Sequence, residues 1–309
     1  MIQMLKIRVA TANIAGAARG ENAHPQKFEL LGQALAGCDI VGLQEVIRVT
    51  DGSMVVRDDV NNLLKTPGRS GYHHFFFAHL DSTLHPHPAK WSGAAFKEYY
   101  EKGDKIEQGS AILSRYPFRH LLVDGVSEGG SAQILPWYHD GATFYRGNRD
   151  TEPRSLLFCR VQIEHASIVF CCTQLTTVKG ENTENGRRPL DQGIEIRTSQ
   201  MKWIVDYLED YQVVRKELSR AEDLVILVGD FNTEPGSPEM EPLKRIGLEM
   251  VPCSGVTHRN HNILIDMVFT SVAVQTKSAQ TFNLRALENG DIRRVSDHNP
   301  VLAELKLLK

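Results

Sequence analysis

Asp230 and Asn232 close an apolar run, Leu224 to Val228, in the stretch Leu227-Val-Gly-Asp-Phe-Asn-Thr-Glu-Pro235. A run that stops abruptly in Gly, Asp and Asn reads as a buried strand delivering an acid and an amide to a sheet edge. Two residues apart in extended chain, Asp230 and Asn232 point the same way. The pair suits phosphate chemistry: a carboxylate orients a water, and an amide holds a phosphoryl oxygen. A plain strand followed by a polar turn would look the same in this peptide alone, so the rest of the chain has to decide.

Further polar residues fall at the ends of apolar runs: Asn13, Glu45, Gln174, Asp266, Asp297 and His298. Carboxylate and amide oxygens suit a hard cation such as Mg²⁺, whereas zinc would call for more nitrogen or sulfur. Histidine adds a proton-transfer group or a cation, and a neighbouring acid can fix its tautomer. Hydrolysis of a phosphate ester by a metal-held water requires such a set. Glu45, taken by itself, fits a metal ligand or a rim glutamate paired with an arginine.

The elements that must position these residues follow from the pattern. Ile7, Val9 and Thr11 alternate with Lys6, Arg8 and Ala10 in a first strand that ends at Asn13. Pro25 opens a helix with Phe28, Leu31 and Leu35 on one face and Gly37 as its stop. Cys38 to Val46 reads as a buried strand carrying Glu45 near its end. From about residue 50 to 108 the pattern loosens into a long insertion that holds five of the twelve histidines, Trp91 and several Tyr and Phe. Metal-ligand spacing is missing there, so these residues read as packing aromatics or a substrate-facing wall. Gly109 to Pro117 returns to strand. The loop from 124 to 153 offers Trp137, Tyr138 and Tyr145 as contact residues. Ser155 to Ile163 and Ser167 to Leu175 form a hairpin, and the polar loop beyond it carries Lys179, Arg187 and Arg188. That loop fits an anion contact or a solvated basic loop. Ile204, Leu208, Tyr211, Val214 and Leu218 mark the longest helix, with Arg197 and Gln200 on its first turns. Ile263 to Thr270 is an apolar strand interrupted by Asp266, and Ser296-Asp-His-Asn-Pro300 leads into the last strand.

Composition narrows the class. The 309 residues, 41% of them hydrophobic and 24% charged, supply an ample core, and no linker divides 1–309, which reads as a single domain. A net charge of -3 gives no global basic field for indiscriminate nucleic-acid binding. Five cysteines without CxxC spacing read as reduced and buried. With no apolar stretch long enough to span a bilayer and no signal-peptide pattern, a cytoplasmic protein is expected.

In Asn13, Leu43-Gln-Glu45, Gly109 to Pro117, Gly229-Asp-Phe-Asn232, Ile265-Asp266 and Ser296-Asp-His298, the chain resembles the endonuclease/exonuclease/phosphatase superfamily. The pieces occur in the family's order from residue 7 to 307. The resemblance implies an α/β (α+β) fold, a DNase I-like four-layer sandwich of two mixed β-sheets packed face to face with helices outside. It implies Mg²⁺, with Mn²⁺ as the alternative, bound by Glu45 with Asn13 and Asp297 beside it. Asp230 would position the water, Asn232 and Asn13 would contact the phosphate, and His298, oriented by Asp266, would share in proton transfer. Many members have Asn-Thr-His-Leu where this chain has Cys172-Thr-Gln-Leu175, so Gln174 can donate a hydrogen bond but cannot act as an acid. Metal-dependent hydrolysis of a phosphodiester is the leading expectation, with Arg187 and Trp137 as substrate contacts. A phosphomonoesterase acting on a sugar or inositol phosphate and a binding or scaffold protein on the same fold are the alternatives. Nucleic acid, a phospholipid head group and a small soluble phosphodiester all fit as substrate, and no protein partner is implied.

Overall fold

The computed structural model describes residues 5–15, 26–93, 95–119, 130–136, 145–164, 166–183, 186–187, 190–217, 223–258, 262–271, 274–281, 285–288, 291–294 and 296–307. Its elements are β1 (Leu5–Asn13), α1 (Lys27–Ala34), β2 (Ile40–Asp51), β3 (Met54–Asp58), α2 (Asp59–Leu64), β4 (His73–Asp81), α3 (Pro88–Trp91), α4 (Lys97–Lys102), β5 (Lys105–Ser114), β6 (Phe118–Arg119), β7 (Ser131–Ile134), β8 (Ser155–Ile163), β9 (Ala166–Gln174), β10 (Asn182–Thr183), β11 (Gly186–Arg187) and α5 (Asp191–Glu217). They continue as β12 (Leu224–Asp230), β13 (Leu248–Met250), β14 (Cys253–Ser254), β15 (Asp266–Ser271), β16 (Val274–Thr281), β17 (Arg285–Glu288), β18 (Asp291–Arg294) and β19 (Val301–Leu307). Short 3-10 segments lie at Arg149–Thr151 and Pro238–Ile246.

One sheet has the order β14-β16-β19-β1-β2-β5-β4, with β3 on β2; the other has β13-β15-β12-β9-β8-β6, with β7 on β8. Both are mixed: β1 runs parallel to β2 and antiparallel to β19, and β12 runs parallel to β9 and antiparallel to β15. Between the sheets, Ile7, Val9 and Ile112 meet Phe170, Ile226 and Val228. Leu31 of α1, Leu35 at its C-cap, and Val60 and Leu63 of α2 cover the outer face of the first sheet. Ile204, Leu208 and Tyr211 of α5 cover the second, which makes four layers. Strands β9 and β12 are thereby buried on both faces, and this is why they read as unbroken apolar runs. Gly229 lets β12 lie against β9 just before Asp230, since a Cβ there would come within 2.1 Å of the Thr173 carbonyl oxygen.

The stretch from 50 to 108 is more ordered than its pattern suggests. Strand β2 runs on to Asp51, β4 forms a sheet edge, and Trp91, Phe96 and Tyr145 build a small core on Ile47, Leu80 and Ile106. Its aromatics therefore pack, and Tyr145 belongs to that core instead of standing out as a contact residue. The five histidines join neither of the ligand groupings found among the described residues. No described helix is long and apolar enough to cross a membrane.

A buried ion cluster ties α5 to the loops beneath the sheet ends. The Arg197 guanidinium, fully buried, donates to Glu181 at 2.8 and 2.9 Å, to Glu239 at 3.1 Å and to the Thr176 carbonyl at 3.1 Å. Glu239 also accepts from the Thr233 hydroxyl at 3.1 Å. Removing the cation leaves two acids buried without it, a change that costs about 3–5 kcal/mol. We expect Arg197→Met to lower the unfolding free energy read from urea melts by that amount, and a value within about 1 kcal/mol of the wild type would contradict the role given to the cluster.

Candidate active site

Strand register brings three of the polar residues level. Asp230 at the end of β12 stands opposite Gln174 at the end of β9 and opposite Asp266 at the start of β15. The other sheet supplies Asn13 from the end of β1 and Glu45 from β2. Glu45 reaches the centre through a bulge: the β2–β5 ladder shifts between Leu43 and Val46, and Glu45 has a φ of 57°. A bulge re-aims a side chain, and a left-handed non-glycine residue costs on the order of 1–3 kcal/mol. Facing the bulge, Gly109 is pressed to the opposite edge, where a Cβ would lie 1.9 Å from the Phe77 carbonyl oxygen.

Two amides join the sheet ends. Asn13 Nδ2 donates to Glu45 Oε1 at 3.0 Å and to Asp230 Oδ2 at 3.1 Å. Gln174 Nε2 donates to the same two oxygens at 3.0 and 3.2 Å. Asn13 Oδ1 accepts from the Ala15 N–H at 2.9 Å, so Asn13 turns its nitrogen and not its oxygen towards the acids. Asn232 sits beside Asp230 for a different reason than strand alternation. Its φ of 49° folds the chain back, its N–H donates to Asp230 Oδ1 at 3.0 Å, and its Nδ2 donates to the Leu175 carbonyl at 2.9 Å and to Asp230 Oδ2 at 3.3 Å. Asn232 Oδ1 accepts from the Thr177 hydroxyl at 2.9 Å. The amide thus braces Asp230 from a tight turn.

His298 completes the floor. Its backbone N–H donates to Ser296 Oγ at 3.1 Å, and Ser296 Oγ donates to the Asn13 carbonyl at 3.0 Å, which ties the chain's last loop to its first strand. His298 Nδ1 lies 2.8 Å from Asp266 Oδ2, and its ring stacks edge-on against His258 with centroids 4.7 Å apart. Burial works against the imidazolium, yet the Asp266 carboxylate, with Asp230 and Asp297 behind it, raises the His298 pKa above the usual histidine range. Burial raises the Asp266 pKa as well, against the pull of His298. Burial also pushes the Glu45 pKa up, but the Arg149 charge, the Asn13 and Gln174 amides and His298 hold it below the usual carboxylate value.

The residues fit a hard dication. Among the described residues, both hydrogen bonds to the Glu45 carboxylate fall on Oε1 and none on Oε2, and the Asp297 side chain is 42% exposed. Two groupings have ligand atoms within 4.8 Å of one another: His258, Asp297 and His298, and Asp230, Asp266 and His298. In the second grouping anionic oxygens outnumber the nitrogen, as Mg²⁺ or Mn²⁺ prefers, whereas the first sets two histidine nitrogens beside one carboxylate. Glu45 belongs to neither grouping among the described residues, and Asp297 belongs to the first.

Several residues at the centre carry no signal in the sequence. Arg149, exposed on its 3-10 segment, is a cation whose field reaches Glu45, Asp297 and Asp230. Lys27 is buried, donates to the Ala15 carbonyl at 3.0 Å, and is lowered to about 8 by that burial against the field of Asp59. His258 and Thr177 were likewise missed; only the polar loop after β9 hinted at the second. Trp137 and Arg188 lie outside the described residues, and Arg187 is placed by its backbone alone, in β11.

The profile of the Endonuclease/Exonuclease/phosphatase family matches residues 10–298. Among solved structures, the chain is similar to an endonuclease/exonuclease/phosphatase from Beutenbergia cavernae, with a TM-score of 0.63 and 21% identity over 98% of this chain and 72% of the other. A mannosyl-6-phosphatase from Bacteroides thetaiotaomicron gives a TM-score of 0.58 and 17% identity over 97% and 99%. A humanized D. rerio TDP2 gives 0.56 and 15% over 97% and 98%. At these identities the likeness is one of fold. No curated protein matches the chain.

Proposed function

Because the chain belongs to the endonuclease/exonuclease/phosphatase family, whose members hydrolyse phosphate esters, we propose that it is a divalent-metal-dependent phosphodiesterase in which Asp230 positions the attacking water. The observation that carries this reading is the convergence of Glu45, Asp230 and the His298–Asp266 pair where the two sheets end. Asp230 is almost fully buried and fixed by amide donors, so its carboxylate can hold a water in line without reorganising. His298, its Nδ1 engaged by Asp266, is assigned to meet the charge of a phosphoryl oxygen as a cation through Nε2. Asn13 and Gln174 offer further N–H groups to the same oxygens. Mg²⁺ or Mn²⁺, held by Glu45 and Asp297 with Asn13 close by, would supply Lewis-acid polarisation of the phosphoryl group. Arg187 and Trp137 are assigned to the flank of the substrate, and the five unpaired cysteines support a cytoplasmic setting.

A diester is favoured over a monoester by charge. Glu45, Asp230, Asp266 and Asp297 crowd the centre, so a singly charged ester meets less repulsion than a doubly charged one. Arg149 at the mouth is the feature that favours the monoester, since it could take up the second charge.

The test is hydrolysis of bis(p-nitrophenyl) phosphate against p-nitrophenyl phosphate, with Mg²⁺ or Mn²⁺ and then with EDTA. Metal-dependent release from the diester is expected. Release from the monoester alone would replace this reading by a sugar- or inositol-phosphate phosphatase, and metal binding without turnover of any ester would favour the scaffold.

A further inference from the structure

Gln174 is held from behind by a side chain that the phosphodiesterase reading leaves without a part. Arg154, only 2% exposed, donates from Nη1 to Gln174 Oε1 at 2.8 Å. A guanidinium can only donate and an ionised carboxylate can only accept, so the amide has one orientation in which both faces are satisfied. Its oxygen meets Arg154, and its NH₂ group meets Glu45 and Asp230. Arg154 is itself anchored: Nη1 lies 3.8 Å from Glu152 Oε1, which accepts from Gln108 Nε2 at 2.7 Å and from Lys90 Nζ at 3.3 Å. Glu152 and Gln108 are both buried.

We propose that Arg154 is a positioning residue that fixes the Gln174 carbonyl, so that the Gln174 NH₂ group stays aimed into the site when a phosphoryl oxygen displaces its contacts with the two acids. The assignment rests on the phosphoesterase reading. In the free protein the carboxylates alone would draw the NH₂ group inwards. Once a dication takes up those carboxylates and a phosphoryl oxygen meets the NH₂ group, that pull weakens, and among the described contacts of the amide the hydrogen bond from Arg154 is the constraint that remains. Without it, a buried carbonyl oxygen is left unsatisfied and the amide turns to find a donor. A cation on the carbonyl side also polarises the amide and strengthens its N–H as a donor. The same guanidinium makes position 174 a poor place for a side chain that must itself become a cation, which accords with a neutral amide there.

The test reads the amide directly. In ¹⁵N-labelled protein with Mg²⁺ and inorganic phosphate, the Gln174 NH₂ pair, identified by its loss in Gln174→Met, should be ordered and should shift as phosphate is added. In Arg154→Met the pair should become mobile and cease to respond. For whichever ester is hydrolysed, kcat should then fall about 30-fold with KM within about threefold, the range typical of a residue that orients another. Arg154→Lys, which keeps a donor and the charge, should hold the pair and restore kcat to within about threefold of the wild type. An ordered, phosphate-responsive pair in Arg154→Met overturns the proposal. If Arg154→Met does not fold, a mobile pair with unchanged kcat in Arg154→Lys overturns it equally. Should no ester be hydrolysed, the amide signals still decide the role of Arg154 while the phosphodiesterase reading fails separately.

Discussion

Asp230→Asn is expected to lower kcat/KM by at least about 10³-fold, roughly 4 kcal/mol of transition-state stabilisation, with the fold intact. The carboxylate is the acceptor on which Asn13, Gln174 and Asn232 converge. An amide in its place cannot accept from all of them and cannot draw a proton from water. The fold should tolerate the change because relief from like-charged Asp266 offsets part of the lost bonding; Asp230 is one of the charges that raise the Asp266 pKa. Steady-state kinetics and a urea melt on the same preparation settle the point. A variant within tenfold of the wild type would remove Asp230 from the role of water acceptor.

The second large effect is on stability as a function of pH. With EDTA present, His298 is displaced from an ordinary value of 6.5 to about 10, since the field of Asp266 outweighs the cost of burial. Asp266 is displaced from 3.8 to about 6 by burial. Both folded values lie above the unfolded ones, so the native protein holds the extra proton in both windows. The contribution of this pair to stability should therefore be greatest below the lower window and decline as pH rises, first between about 4 and 6 and then between about 6.5 and 10. At about 1.4 kcal/mol per unit of displacement, the second decline is on the order of a few kcal/mol. Asp266→Asn removes the acid from the pair and should flatten both windows, with Asp230, Asp297 and Glu45 left to act on His298. Urea midpoints from pH 4 to pH 10 give the curve. A wild-type curve that is flat or rising above pH 6.5, or a variant with an unchanged slope, would show that the pair is not charged as described.

Much of this site could be read from strand ends. Asn13, Gln174, Asp230 and Asp266 each interrupt or close an apolar run, and a polar residue in that place has few ordinary reasons to be there. The sandwich was legible for the same cause, since β9 and β12 must be covered on both faces. Glu45 was legible as a residue but not as a geometry, because a β-bulge leaves no mark in hydrophobic alternation. Asn232 was assigned the right neighbour through the wrong conformation: period-two alternation was assumed where a left-handed turn exists. Arg149, Arg154, Lys27 and His258 were invisible because their importance comes only from tertiary proximity; Arg154 lies 20 positions from the glutamine that it holds. The aromatic stretch from Tyr72 to Tyr100 left packing and a substrate-facing wall as alternatives, because its alternation is blurred where a polar residue, His79, is buried.

The proposed site residues Asn13, Gln174, Asp230 and Asp266 belong to the terminal residues of strands, so their positions are set by ladder register and not by the connections between elements. On the proposed reading, hydrolysis and substrate choice are therefore separable heritable traits in this chain. Segments bordering the cleft, apart from the loop that carries His298, can lengthen, shorten or change composition while these strand-end atoms keep their places. A laboratory lineage selected for a new ester should accumulate its substitutions in those borders and leave the strand ends untouched.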